Sequence, residues 1–189
     1  MEGRLMVVLE RAAIARADER RMAVGAMQAA PLAEGILKKC PIAISRGFGA
    51  IDTGRARELI ESSFAKPLAQ GYFETHAELV MLAGHYDGIA VVKRVGGAPY
   101  LDKLAVAPHA QGTGVGKALW ECIKDAYDSL IWRTSLVNEH KGWYRSDGSV
   151  ESGKWLVFWN NLPPEEVARL VPLVAAMPET ILRNGGLGT

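Results

Sequence analysis

The chain has 189 residues, 22 Lys+Arg against 21 Asp+Glu, and is 49% hydrophobic and 23% charged. That is the composition of an ordinary globular domain, and a net charge of +1 gives no electrostatic reason for nucleic acid or an anionic membrane surface as partner. No apolar stretch approaches the roughly 18–20 residues of a membrane span, and two cysteines, Cys40 and Cys122, are too few for a disulfide framework or a Cys-rich zinc site.

The N-terminal apolar run Leu5–Leu9 is closed by Glu10 and Arg11, and is shorter than the apolar region of a signal peptide, about 7–15 residues. The expected location is therefore the cytoplasm. The length accommodates one domain of normal size, or one domain plus an appendage. Residues 1–40 read as that appendage, because Ala, Arg, Met and Leu dominate and Glu10–Ala30 is built of strong helix formers ending before Pro31. Its weak apolar stripe suits a helical arm that packs on a second copy of the chain or a partner subunit. The competing reading is a partly frayed leader.

From Pro41 to the C-terminus the texture is that of the domain proper. Residues 41–51 read as a short strand-like run broken by glycines. Asp52 or Thr53 caps a helix through Arg55–Phe64 with Ala56, Leu59, Ile60 and Phe64 on one face. Pro67 interrupts it, and Gly71–His76 begins a second short helix. Strands are expected over 77–84, 88–94 and 98–107, joined by turns at Tyr86-Asp87-Gly88 and Gly96-Gly97, which makes an antiparallel meander. A glycine-rich loop follows, then a helix with Val115, Leu119, Cys122, Ile123 and Ala126 inward, then a strand at 129–135. The stretch 138–153 reads as irregular or short-helical, and 154–162 as a final strand. A closing helix starts at Pro163-Pro164, which suits a first turn. Strands adjacent in sequence together with helices predict an α+β fold with a mixed, mostly antiparallel sheet.

The most specific feature is Gln111-Gly112-Thr113-Gly114-Val115-Gly116-Lys117, directly after a strand and opening a helix. Alternating glycines let successive backbone N–H groups face one concavity, and the helix N-terminus adds positive potential, a combination suited to phosphate or pyrophosphate. Spacing separates the families that use it. A P-loop needs G-x-x-x-x-G-K-S/T, but Gln111 stands at its first glycine and Ala118 follows Lys117. A dinucleotide-binding turn needs G-x-G-x-x-G in a βαβ unit, and the glycines here run G-x-G-x-G after a meander. The pattern Q/R-x-x-G-x-G/A is matched in full by Gln111, Gly114 and Gly116, and it resembles the acetyl-CoA pyrophosphate loop of the GNAT N-acetyltransferases. The alternative is a flexible glycine-rich connection. The resemblance implies that acetyl-CoA lies against Gln111, Gly112, Thr113, Gly114, Val115, Gly116 and Lys117, with its pantetheine arm on the backbone of Leu104, Ala105 and Val106.

Longer strings narrow the resemblance: Pro99-Tyr100-Leu101-Asp102-Lys103, Ala118–Cys122, Ile131-Trp132-Arg133, Asn138, Trp143-Tyr144, Ser146–Ser149, Lys154–Trp159 and Gly71–Glu74. Together they resemble the acetyltransferase domain of vertebrate-like N-acetylglutamate synthases, including bifunctional synthase–kinases of bacteria, over roughly residues 45–162. The resemblance implies a GNAT fold and transfer of acetyl from acetyl-CoA to the α-amino group of L-glutamate, the entry to arginine synthesis. It implies roles for Lys103, Arg133 and Asn138 on the substrate side and for Tyr144 near the thioester.

Chemistry supports two of these independently. A tyrosine, with an ordinary pKa near 10, can protonate a departing thiolate of pKa about 8.5. Lys103 lies between Leu101 and Ala105 on one strand face, which fits a carboxylate partner in a polar cleft. The competing readings are a snorkelling lysine and a core Trp143–Tyr144 pair. Two positions depart from the family: Ser135 stands where a second arginine is usual, and Lys141 where a second asparagine is usual. Lys141 is expected to replace part of the missing positive charge.

The four histidines, His76, His85, His109 and His140, have no metal-ligand spacing, so no metal is expected. Cys122 and the pair Trp155/Trp159 read as core, Glu121 and Asp125 as a solvated helix face. Two rivals stay open: an acetyltransferase for another small amine, and a non-catalytic acyl-CoA-binding subunit. The family's amino-acid-kinase domain, the seat of arginine regulation, does not fit into residues 1–40; for a full-length chain, catalysis indifferent to arginine is expected unless a separate partner supplies that site, and for a piece of a longer chain the arm would be a linker remnant.

Overall fold

The computed structural model describes residues 26–27, 41–137 and 146–182. Among these, eight strands form one sheet in the order β1-β2-β3-β4-β5-β6-β8-β7. They are β1 (Ala26–Met27), β2 (Ile42–Ser45), β3 (Leu79–Ala83), β4 (Gly88–Val95), β5 (Ala98–Val106), β6 (Leu130–Ser135), β7 (Gly148–Ser152) and β8 (Trp155–Asn160). All neighbours run antiparallel except β5 and β6, which are parallel because helix α2 (Val115–Ala126) lies between them in the chain.

Alternation along the strands sorts the core into two layers. Leu101, Trp132 and Phe158 point to one face, together with Leu59 and Ile60 of helix α1 (Thr53–Phe64) and Leu119 and Ile123 of α2. Their neighbours Tyr100, Ile131 and Val157 point to the other, where Leu170 and Val174 of helix α3 (Pro164–Ala176) cover them. Trp132 stacks on Phe158 at 5.6 Å and meets Trp120 edge-on at 5.2 Å, which ties α2 to β6 and β8.

The helix starts follow from their caps. The Asp52 carboxylate accepts from the N–H groups of Gly54 and Arg55 at 2.9 and 3.1 Å, and α3 begins at Pro164 with Glu165 and Glu166 in its first turn. The antiparallel meander β3-β4-β5 is present as read from the turns.

Three local expectations are corrected. Residues 148–152 form strand β7 on β8, not irregular or helical chain. Ser149-Val150-Glu151-Ser152 holds a single apolar residue and so no apolar alternation, and Gly148 is what allows the pairing: a Cβ there would sit 2.4 Å from the Trp159 ring. Phe64, expected on the buried face of α1, is 37% exposed, because the helix ends at the next residue, Ala65, in the left-handed region. Finally, Ala26 and Met27 pair as a strand with Ala43 and Ile42 inside the predicted arm helix, while the rest of that arm lies outside the described residues.

Two irregularities in β5 shape the site. Leu101 faces Val92 and Lys103 faces Val91, so Asp102 is the extra residue of a β-bulge. On its other edge β5 pairs with β6 only at Tyr100–Ile131 and Leu101–Trp132. Beyond that point no pairing joins the described parts of the two strands, and the unpaired end of β5, here called the wedge, leads into the glycine loop.

Candidate active site

The loop forms because glycine supplies backbone that other residues resist. After β5 a 3₁₀ turn, Pro108–Ala110, leads to Gln111. Gly112 and Gly114 then adopt φ of +77° and +95°. The Thr113 hydroxyl donates to the Ala110 carbonyl at 2.7 Å and closes the turn. Gly114 is the N-cap of α2 and offers no side-chain cap, and the helix's own ladder starts with the Ala118 N–H on the Gly114 carbonyl at 2.9 Å. The N–H groups of Val115, Gly116 and Lys117 thus stand at the positive end of α2. A Cβ on Gly112 would meet nothing within 4 Å, so the backbone there faces open space.

Gly88 seats this helix on the sheet. A Cβ there would lie 2.6 Å from Val115 Cγ1 and 2.9 Å from Leu119 Cδ1. Along the wedge, Leu104 and Val106 are half-buried and Ala105 is buried. The Val106 N–H donates to the Ser63 hydroxyl at 3.2 Å, and Gln111 Nε2 reaches the Val106 carbonyl at 3.5 Å.

Lys103 is buried, with only 5% of its side chain exposed. Its ammonium donates to the Asp102 carbonyl and to Asp102 Oδ1, both at 3.1 Å, and to Thr180 Oγ1 at 2.6 Å. Asp102 is shared: Lys93 Nζ lies 3.2 Å from Oδ2, and the Tyr72 hydroxyl donates to the same oxygen at 2.7 Å. Lys93 also donates to Thr75 Oγ1 at 3.0 Å, and both ammoniums lie over the Tyr72 ring, at 4.3 and 5.1 Å. Two buried ammoniums therefore share one carboxylate.

Their titration follows. Burial pushes the Lys103 ammonium down; the Asp102 carboxylate opposes this without cancelling it, and Lys93 and Arg133 add to it. Burial pushes the Asp102 carboxyl up, but Lys103, Lys93 and the Tyr72 hydrogen bond outweigh it and hold it below the ordinary 3.8. Burial first and Asp102 second raise Tyr72 well above its ordinary value.

Arg133 stands on β6, with its guanidinium 4.0 Å above the Trp155 ring. It donates to the carbonyls of Val174, Ala175, Met177 and Pro178, closing the C-terminal end of α3. Ser135 ends β6, and its hydroxyl accepts from the Val137 N–H at 3.4 Å. Asn138, Lys141 and Tyr144, the other substrate-side and catalytic candidates, lie outside the described residues, as does His140. The structure thus groups Leu104–Val106 with Gln111–Lys117, and it gathers Lys103 with residues to which the sequence reading gave no role: Tyr72, Lys93, Asp102 and Thr180. The one available signal was Asp102 beside Lys103; Lys93 fell within the expected strand 88–94 and was given no role.

Elsewhere, Cys122 is buried and its thiol is pushed up to about 12, by burial first and then by Asp125 and Glu121, which suits core rather than nucleophile. A pocket of about 130 Å³ lined by Lys124, Tyr127, Asp128, Leu130 and Asn160 sits at the opposite end of α2 from the loop. Among the described residues no group of three or more His, Cys, Asp or Glu is placed to hold a metal ion, and no helix is long and apolar enough to cross a membrane.

The family model for NAT, the N-acetyltransferase of N-acetylglutamate synthase, matches residues 42–179. The chain belongs to this family. Its fold is accordingly the GNAT acyltransferase fold, with the partly paired β5/β6 strands and the glycine loop at the wedge. It is 37% identical over 125 residues to the mitochondrial N-acetylglutamate synthase of Mus musculus, covering 62% of this chain and 24% of the relative. It is 34% identical over 136 residues to the acetylglutamate kinase of Xylella fastidiosa strain 9a5c, covering 70% of this chain and 32% of that one. The chain therefore spans about a quarter to a third of the length of these curated relatives. A GNAT-family acetyltransferase structure from Desulfovibrio desulfuricans superposes with a TM-score of 0.47 at 15% identity, over 62% of this chain and 97% of that one.

Proposed function

We propose that residues 41–189 are a catalytic domain transferring acetyl from acetyl-CoA directly to the α-amino group of L-glutamate. Acetyl-CoA supplies a thioester whose carbonyl carbon the neutral amine attacks: the N–C bond forms, the C–S bond breaks, and the proton the amine gives up passes to solvent, from which Tyr144 is reprotonated after each turnover. The N–H groups of Val115, Gly116 and Lys117, with Gln111, Gly112, Thr113 and Gly114 around them, hold the pyrophosphate. The backbone of Leu104, Ala105 and Val106 lines the pantetheine arm, and a backbone N–H near Leu104 or Ala105 stabilises the oxyanion. Tyr144 returns a proton to the leaving thiolate. Lys103 binds a carboxylate of the acceptor, and the family resemblance gives Arg133, Asn138 and Lys141 substrate-side roles as well.

The observation that carries the acceptor reading is the shared carboxylate. Among the described residues Asp102 is the one carboxylate paired with buried Lys93 and Lys103, so an incoming carboxylate balances the second cation in a place where an unpaired charge is costly. Family membership supports glutamate as the source of that carboxylate.

The test is thiol release from acetyl-CoA with glutamate, aspartate, glutamine and lysine. The highest kcat/KM is expected for glutamate, and equal values across the panel would refute the acceptor assignment. Tyr144→Phe is expected to lower kcat by about 10- to 10³-fold with acetyl-CoA affinity unchanged. Wild type and variant that bind acetyl-CoA equally and release no thiol would instead make the chain a binding module. A second reading, transfer to another small amino acid, is favoured by Ser135 in place of the family's second arginine, and the same panel decides it.

A further inference from the structure

An ammonium has three N–H donors, and all three of Lys103's are taken. Two go to Asp102, the residue before it in the same strand. The third goes to Thr180, 77 positions away in sequence. Thr180 belongs to a segment following α3 that crosses the site as a strap. Its carbonyl accepts from the Ala69 N–H at 2.9 Å, and the Leu182 N–H donates to the Pro67 carbonyl at 2.8 Å. Leu68 and Ile181 form an isolated bridge between these two bonds. Upstream, Arg133 holds the strap's Met177 and Pro178 carbonyls.

A neutral hydroxyl is a weak partner for a buried ammonium whose carboxylate is shared with a second lysine. A carboxylate oxygen in the same place makes a charge-assisted bond, roughly twice as strong, and balances Lys93 as well. Of Lys103's hydrogen-bond partners only Thr180 sits on a separate segment of the chain.

We infer that Thr180 is a specificity-determining residue: its hydroxyl occupies the position on Lys103 that a carboxylate oxygen of the acceptor takes, so acceptor binding displaces the strap 177–182. This rests on the acceptor reading above. The exchange makes the site selective for carboxylate-bearing amines, since a group without charge gains nothing by evicting the hydroxyl.

The test is steady-state kinetics of the full chain with glutamate varied at saturating acetyl-CoA. Thr180→Val keeps the side chain's shape and leaves the third donor unsatisfied, so KM for glutamate should fall by about 5-fold or more with KM for acetyl-CoA unchanged. Thr180→Ser should keep the wild-type value. Thr180→Glu, which places a carboxylate on Lys103 from within the chain, should raise KM for glutamate by about 10-fold or more. Amide exchange at Ala69 and Leu182 should quicken when glutamate is added with coenzyme A. A KM for glutamate that rises or stays constant in Thr180→Val, or exchange that slows or stays constant, overturns the inference. Wild-type enzyme that acetylates no carboxylate-bearing amine overturns the acceptor reading and this inference together, whereas glutamate turnover indifferent to Thr180 overturns this inference alone.

Discussion

β5 carries chemistry of two kinds within a few residues. At its C-terminal end it runs into a loop whose working parts all lie between Gln111 and Lys117, and the backbone conformation of those residues is the whole device. At its bulge, Lys103 takes its surroundings from β4, from the turn around Tyr72 and from the strap after α3. The first region works by local backbone geometry, which glycine spacing writes directly into sequence. The second works by charges that are far apart in the chain and costly to separate once buried. In the proposed reaction one face is therefore specified by a motif, and the other by the fold.

Breaking that contrast starts with Asp102. Asp102→Asn leaves two buried ammoniums without a carboxylate and should cost about 3–5 kcal/mol of stability, read as a lowered urea midpoint, while the loop of any protein that folds keeps its affinity for acetyl-CoA. A parallel loss of acetyl-CoA affinity in the folded fraction would mean that the two regions are not separable. The converse variant is Gly114→Val, which forces a β-branched residue to φ +95°. It should weaken acetyl-CoA binding by about 10- to 100-fold, measured by titration calorimetry, with the urea midpoint shifted far less than in Asp102→Asn.

Gly88 probes the joint between the regions, since α2 rests on it. Gly88→Ala drives a methyl into Val115 and Leu119 and should cost about 1–3 kcal/mol, with acetyl-CoA affinity falling because the helix that carries the loop is displaced. Affinity unchanged alongside a lower urea midpoint would show that the loop keeps its shape without its seat. The smallest effect is acid sensitivity. Asp102 is held below 3.8 in the folded chain, so below about pH 4 the unfolded chain binds more protons and stability falls as pH drops through the folded value. Urea midpoints measured against pH should show this component in wild type and lose it in Asp102→Asn.

Much of the architecture was legible from residue order. The Asp52 cap, the meander turns, the inward face of α2 and the proline start of α3 are local signals with local causes. β7 was not legible, because a polar edge strand has no apolar alternation and depends on Gly148 admitting the Trp159 ring. Phe64 misled for a related reason: helical spacing assigns a face but does not say where the neighbouring layer ends. At the site, Lys103 was marked by its position between apolar neighbours, whereas Lys93, Tyr72 and Thr180 carried no local mark. Their relevance exists only where β4, the Tyr72 turn and the strap converge on Asp102.

The composition and near-neutral charge excluded whole classes of partner, and the loop spacing pointed to an acyl-CoA site, because both properties survive in an unfolded chain as a list of residues. Tertiary structure alone decided that an overall charge of +1 conceals two lysines on one buried carboxylate, and that a threonine distant in sequence closes over one of them. Charge summed along a chain is blind to distance. The energy of a buried charge depends on little else.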